Sequence, residues 1–235
     1  MPRDTVDAWN EEWLPRFREF LDVQMHGVDA GHGIEHVQRV VNNAIKLADG
    51  SVAQLQVILP AAWLHDCVSV PKNSPMRSQA SRLAAAKGSE FLTTIGYEDR
   101  WISEIKHCIE AHSFSAGIPC TTIEAEIVQD ADRLEALGAI GLARCLMTGG
   151  SMGQRLYEPI EPFPVTRLPR DTEQSVDHFF AKLLGLHETM KTSAGRTEAV
   201  RRTEFLKVFL RELAREIGTG EEPVERAIRA CAPSR

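Results

Sequence analysis

The chain has 235 residues, of which 43% are hydrophobic and 26% charged, and a net charge of −6. That is enough apolar material for a sizeable core, in one large domain or two small ones. The acidic balance excludes a general nucleic-acid coat and a binder of anionic membranes, both of which need a basic surface, while a small phosphorylated substrate needs only a local basic pocket.

Five cysteines (Cys67, Cys108, Cys120, Cys145, Cys231) are scattered with no C-x-x-C pair, so a structural zinc site is not expected. The odd count, with no secretory segment ahead of it, leads to an expectation of reduced thiols in a cytoplasm. No apolar run approaches the ~20 residues of a membrane helix.

Taken in order, residues 4–25 predict an amphipathic helix. Trp9, Trp13, Phe17, Phe20 and Leu21 recur at spacings of three and four, the pattern of a core face, with Asp4 as its N-cap. A polar, glycine-containing entry at 29–36 leads into a second helix with Val37, Val40, Val41, Ala44, Ile45 and Ala48 on one face. His32 and His36 share a face only if that helix begins early; if Gly31 and Gly33 delay it, His36 alone is held by the helix. Residues 51–66 predict a third helix, with Pro60 either kinking it or opening a new helix. His65 and Asp66 sit at its far end.

Residues 67–77 read as a loop. Lys72 and Arg77 on it are either two solvated charges or the cations an anionic substrate needs. A helix over 78–95, capped by Ser78, and another over 97–112 follow. His107 and His112 on the latter are five residues apart, ~140° past a full turn, so they face different ways. His112 is the better site candidate and His107 is read as structural.

Residues 123–147 predict a helix or helix pair carrying Asp130, Asp132, Arg133 and Glu135, with Asp132 and Glu135 on one face and Asp130 elsewhere. Four prolines in 159–169 mark 149–170 as a loop of functional or mobile character. Helices are expected over 175–190 and 198–217, the second stopped by Gly218 and carrying its arginines on a solvated face. A short helix begins at Pro223. No alternating strand pattern and no internal repeat is present, so the expected fold class is all-α.

The chemistry centres on the adjacent pair His65-Asp66. An apolar helix has little use for such a pair at its end, whereas imidazole nitrogen and carboxylate oxygen together suit a borderline divalent cation. His36 lies 29 residues before His65, and Asp132 lies 66 after Asp66. Ligands His36, His65, Asp66 and Asp132, drawn from separate helices, would make a mixed nitrogen–oxygen site. Manganese, iron, cobalt, nickel and zinc all fit, and magnesium is not distinguished from them. Such an ion acidifies water and polarises a phosphorus centre.

His, then His-Asp, then Asp in an all-helical chain resembles the HD-domain metal-dependent phosphohydrolases, and Asp130-Ala131-Asp132-Arg133-Leu134 looks like that family's last motif, with Asp132 as the ligand. Leu64-His65-Asp66, Val70-Pro71-Lys72-Asn73, Ala111-His112-Ser113-Phe114-Ser115, 127–144, His178-Phe179 and Lys182-Leu183-Leu184 look like a small bacterial subgroup of stand-alone members. The likeness covers roughly 26–215.

The resemblance implies a single HD-type domain over 1–235, with a helical core at about 26–148 and a C-terminal helical part at about 171–231. It also implies hydrolysis of (deoxy)nucleoside triphosphates or related nucleotides, most suggestively with pyrophosphate release. Ser69 stands where some nucleotidase branches carry an acid, and nothing after Asp66 matches the Gly-Tyr-Pro of the cyclic-dinucleotide branch.

One divalent ion is expected, with a second left open. Asp66, His112 and Lys72 are the catalytic candidates: Asp66 or a nearby acid as proton acceptor, His112 as proton donor to the leaving oxygen or as a phosphate binder, Lys72 as a charge offset. Lys72, Arg77, Arg133 and His32 are the substrate-binding candidates, and Arg133 is equally readable as a structural partner of a carboxylate. The partner is a small phosphorylated substrate, with no nucleic-acid polymer and no membrane. Alternatives are a nucleoside monophosphate phosphatase or other phosphoester hydrolase, a di-iron oxygenase and a non-catalytic nucleotide-binding module. Oligomeric state is not legible, because the apolar C-terminal helix serves equally in one core or against a second subunit.

Overall fold

The computed structural model describes residues 3–24, 33–70 and 76–231. Two compact units divide the chain, Met1–Asp132 and Arg133–Arg235. Among the described residues every regular element is helical, the sole bridge being an isolated pairing of Arg155 with Gln174. No helix of the described residues is long and apolar enough to cross a membrane.

The first unit is built around α3 (Leu55–Leu64), whose residues are all buried except Gln56. Uniform hydrophobicity leaves such a helix no solvent face, so it sits in the middle of others. Around it pack α1 (Arg3–Gln24), α2 (Ile34–Ala48), α4 (Ala80–Thr94) and α5 (Asp99–Ala111). The expected aromatic stripe of α1 is buried at Trp9 and Phe17, with Phe17 edge-on to Phe91 of α4 and Phe20 stacked on the same ring. Asp4 lies inside the first turn of α1 and is not its cap.

Pro60 does not begin a new helix: one helix runs through it. Proline cannot donate to the carbonyl four residues back, here Gln56. Tyr97 supplies the missing donor, its hydroxyl bonding the Gln56 carbonyl at 2.7 Å while accepting from Trp9 Nε1 at 3.0 Å. Ser78 does not cap α4, because residues 77–79 form a 3-10 turn and the helix proper begins at Ala80. The α3 amino end is instead held from α6 (Ile123–Arg133), where the buried Glu124 accepts from the Gln54 amide at 2.9 Å.

The helix or helix pair expected over 123–147 is two helices: α6 ends at Arg133, a 3-10 turn spans Leu134–Ala136, and the next helix begins at Gly138, whose φ of +68° only glycine adopts comfortably. From there α7 (Gly138–Ser151) packs on α9 (Ser193–Glu216). Helix α9 begins five residues earlier than expected, because Thr192 caps it with Oγ1 on the Gly195 amide. The helix expected over 175–190 is not one helix. A turn of α-helix, α8 (Ser175–His178), opens into a π-helical stretch at 179–183 and a later 3-10 turn.

The proline-rich segment is tied down by carboxylates. The fully buried Asp177 accepts from the Arg167 guanidinium and the Arg170 amide, and Glu161 accepts from the Val165 and Thr166 amides. Helix α10 (Glu222–Cys231) starts one residue before Pro223 and anchors to α9 through Arg211 and Glu225 at 2.6 Å.

Candidate metal centre

Three helix ends and one helix start meet in the first unit. Gly33 delays α2 until Ile34, which puts His36 in its first turn, buried to 1% exposure. His65 and His112 each occupy the position just past the last residue of a helix, α3 and α5 respectively. Carbonyls at a helix end lack intrahelical donors, and both rings supply one. His65 Nδ1–H donates to the Ala62 carbonyl at 2.8 Å, and His112 Nδ1–H donates to the Ile109 carbonyl at 2.6 Å. A carbonyl only accepts, so the proton sits on Nδ1 and each Nε2 faces the centre.

His65 Nε2 lies 3.3 Å from His36 Nε2. Asp132 Oδ1 lies 3.5 Å from His36 and 3.9 Å from His65. One donor atom from each of these three residues falls within 4.8 Å of the others. Asp66 bridges outward: its Oδ2 is 3.9 Å from His36 and 3.8 Å from His65, while its Oδ1 is 3.6 Å from His112 Nε2. The histidines form a buried floor, and Asp66 and Asp132, about 30% exposed, form its mouth.

Burial drives the His65 imidazole down to about 4, although Asp66 and Asp132 pull the other way. It is therefore neutral near pH 7, with its Nε2 3.3 Å from the Nε2 of His36. Burial pushes the Asp66 and Asp132 carboxyls up, but the surrounding histidines, His65 foremost, outweigh it and hold both below the usual carboxylate range, Asp66 well below. Burial pushes His112 down, and Asp66 beside it more than offsets this, so the ring titrates above its ordinary value. Imidazole nitrogens, that of His65 neutral, and ionised carboxylates converging on one point are a donor set that fits a borderline divalent cation.

The structure thus brings together His36, His65, Asp66, Asp132 and His112 from residues far apart in sequence. His107 is elsewhere, accepting from the Thr121 amide and hydroxyl. Arg133 Nη1 donates to the Thr189 carbonyl at 2.6 Å. His32, Lys72 and the Arg77 side chain lie outside the described residues.

Two contributors were not singled out in the sequence. Asn43 Nδ2 donates to the Ala131 carbonyl, and Gln129 Nε2 donates to the Ala111 carbonyl. A signal existed for the first: Asn43 is a buried amide two turns past His36 on the apolar face of α2.

Residues 33–137 match the model of the HD domain. The chain is 32% identical over 193 residues to the Bacillus subtilis protein YpgQ, covering 80% of this chain and 85% of that one. Among solved structures, it is similar to an HD-superfamily hydrolase from Bacillus thuringiensis, at 31% identity and a TM-score of 0.69, over 89% of this chain and 98% of that one. It is also similar to Bacillus subtilis YpgQ in complex with ADP, at 29% identity and a TM-score of 0.66, over 86% and 95% of the two chains.

Proposed function

This chain belongs to the HD domain family of metal-dependent phosphohydrolases, and from that premise we propose that it hydrolyses (deoxy)nucleoside triphosphates or related nucleotides. The observation that carries the reading is the convergence of His36, His65, Asp66 and Asp132, with His112 beside them on the free oxygen of Asp66. A nucleotide as the ligand draws support from the ADP found on the similar YpgQ.

In this reading those four residues hold one divalent ion. The ion supplies Lewis acidity, acidifying water and withdrawing charge from phosphorus. The protein's own groups do the rest. Asp66 presents Oδ1 away from the other histidines and toward His112, where it can accept a proton. His112, whose ring that carboxylate pushes to titrate above its ordinary value, is placed to give a proton from Nε2 to the leaving oxygen. The buried histidine floor excludes water on one side, so substrate approaches over the two half-exposed carboxylates. Lys72, Arg77 and Arg133 are assigned to offset the negative charge of the phosphates and His32 to touch substrate, each assignment resting on residue type and place in the sequence.

The test uses protein stripped of metal and reloaded separately with Mn, Co, Ni, Mg and Zn. Each form is given deoxynucleoside triphosphates and monophosphates, with phosphate and pyrophosphate release followed separately. Metal-dependent pyrophosphate release is expected. Phosphate release from monophosphates would move the assignment to a nucleotidase, and tight metal binding without either product would remove nucleotides as the substrate class.

A further inference from the structure

Two buried amide side chains hold the same kind of atom in equivalent places. Asn43 Nδ2 donates to the Ala131 carbonyl at 3.3 Å, and Gln129 Nε2 donates to the Ala111 carbonyl at 2.7 Å. Ala131 directly precedes Asp132 and Ala111 directly precedes His112. The carbonyl of one residue and the nitrogen of the next belong to a single rigid plane. Each amide therefore fixes the peptide plane from which a site residue departs.

The two anchors act on different residues. Asn43 is on α2, seven residues past His36, which places it two turns along the same buried face. Its bond ties the helix that carries His36 to the last turn of the helix that carries Asp132, and so sets the distance between those two. Gln129 is on α6, three residues before Asp132, and reaches the end of α5 where helical donors run out. Its bond sets the end of α5, and with it the ring of His112 against Asp66. The Cys120 thiol also reaches the Ala111 carbonyl, at a weak 4.0 Å.

Gln129 shows the mark of a residue present for something other than stability. It is 4% exposed and its Oε1 has no hydrogen-bond partner. A buried acceptor left bare is unfavourable, and an apolar side chain of the same length would avoid it. The side-chain bond it makes to the Ala111 carbonyl is the one that orients the α5 terminus.

We propose that Asn43 and Gln129 are positioning residues of the metal centre, Asn43 acting through Asp132 on ion affinity and Gln129 acting through His112 on turnover. This rests on the reading of the site given above. It separates the two effects because the held residues differ: one is placed to hold the ion, while the other meets Oδ1 of Asp66, the oxygen opposite the one that faces His36 and His65.

The experiment uses the near-isosteric variants Asn43→Leu and Gln129→Met. Dissociation of Mn(II) alone is measured by the EPR signal of the free ion, and kcat and KM with a deoxynucleoside triphosphate are measured at saturating Mn(II). Asn43→Leu is expected to weaken Mn(II) binding about tenfold and to recover near-wild-type kcat at saturating ion. Gln129→Met is expected to lose about tenfold in kcat with KM and Mn(II) affinity unchanged, the scale usual for groups that orient ligands. Folded fraction is followed by circular dichroism. Where an isostere does not fold, Asn43→Ala and Gln129→Ala delete the same donors and read the same two parameters.

Wild-type Mn(II) affinity in Asn43→Leu, wild-type kcat in Gln129→Met, or losses that merely track the folded fraction overturn the proposal. His112→Gln locates a failure. If it keeps wild-type kcat, the role given to His112 is wrong; if it loses activity while Gln129→Met does not, the positioning inference is wrong.

Discussion

His65 commits its Nδ1–H to Ala62, leaving Nε2 bare in a buried setting, and that choice has a signature in stability as well as in binding. The ring titrates near its ordinary 6.5 in the unfolded chain and at about 4 in the folded one. Between those values the unfolded state binds more protons, so the metal-free protein loses stability as pH falls from 6.5 toward 4. The loss is on the order of 3 kcal/mol. Urea unfolding of the metal-free protein at several pH values across that window should show the slope, and His65→Gln should flatten it. Asp132→Ala should abolish ion binding and lower hydrolysis roughly a thousandfold or more, because the Lewis acid is lost, while far-ultraviolet dichroism is unchanged. Retained turnover in that variant would sink the four-ligand reading.

Among the elements, α3 is the one whose sequence contains an apparent fault, and the fault is repaired from outside. Pro60 leaves the Gln56 carbonyl without its helical donor, and the Tyr97 hydroxyl, from just ahead of α5, takes that place. Tyr97→Phe should therefore cost about 1–2 kcal/mol, a fall of a few degrees in melting temperature. In a Pro60→Ala background the backbone amide returns, and the same Tyr97→Phe change should cost measurably less. An undiminished cost in the double-mutant cycle would mean that the hydroxyl matters for some other reason. Helix α6 works similarly at a larger scale. Through Glu124, Gln129 and the Ala131 carbonyl it bonds to the entry of α3, the end of α5 and the middle of α2. The helices that carry His65, His112 and His36 are all tied to the helix that carries Asp132.

For the molecule as a whole, the proposed ion couples site and fold. An ion that binds only the native state raises apparent stability by about 2.7 kcal/mol when present at a hundred times its dissociation constant. Saturating Mn(II) should raise the melting temperature and EDTA should lower it. The proposal of a single domain over 1–235 adds a second expectation, that the Met1–Asp132 and Arg133–Arg235 units melt in one transition. Two separated transitions, only the first responding to metal, would make them independent domains.

The chain itself determined its fold class and the identity of the candidate ligands. Helical periodicity is local, so the core faces of α1, α2 and α9 are readable from spacing, and a His-Asp pair closing an apolar helix is conspicuous because burial disfavours it. Family resemblance added Asp132 over Asp130. Tertiary structure decided what depends on partners distant in sequence. The carbonyl that Pro60 leaves without a helical donor is served by Tyr97, 41 residues away. The proline-rich segment is tied over shorter spans, by Asp177 on Arg167 and Arg170 and by Glu161 on Val165 and Thr166, bonds that follow no helical or strand period. The choice of His112 over His107 was suggested by helical phase. Its place on Asp66, and the Asn43 and Gln129 bonds behind the centre, exist only once α2, α3, α5 and α6 are packed, because each bond joins atoms that meet solely through that packing.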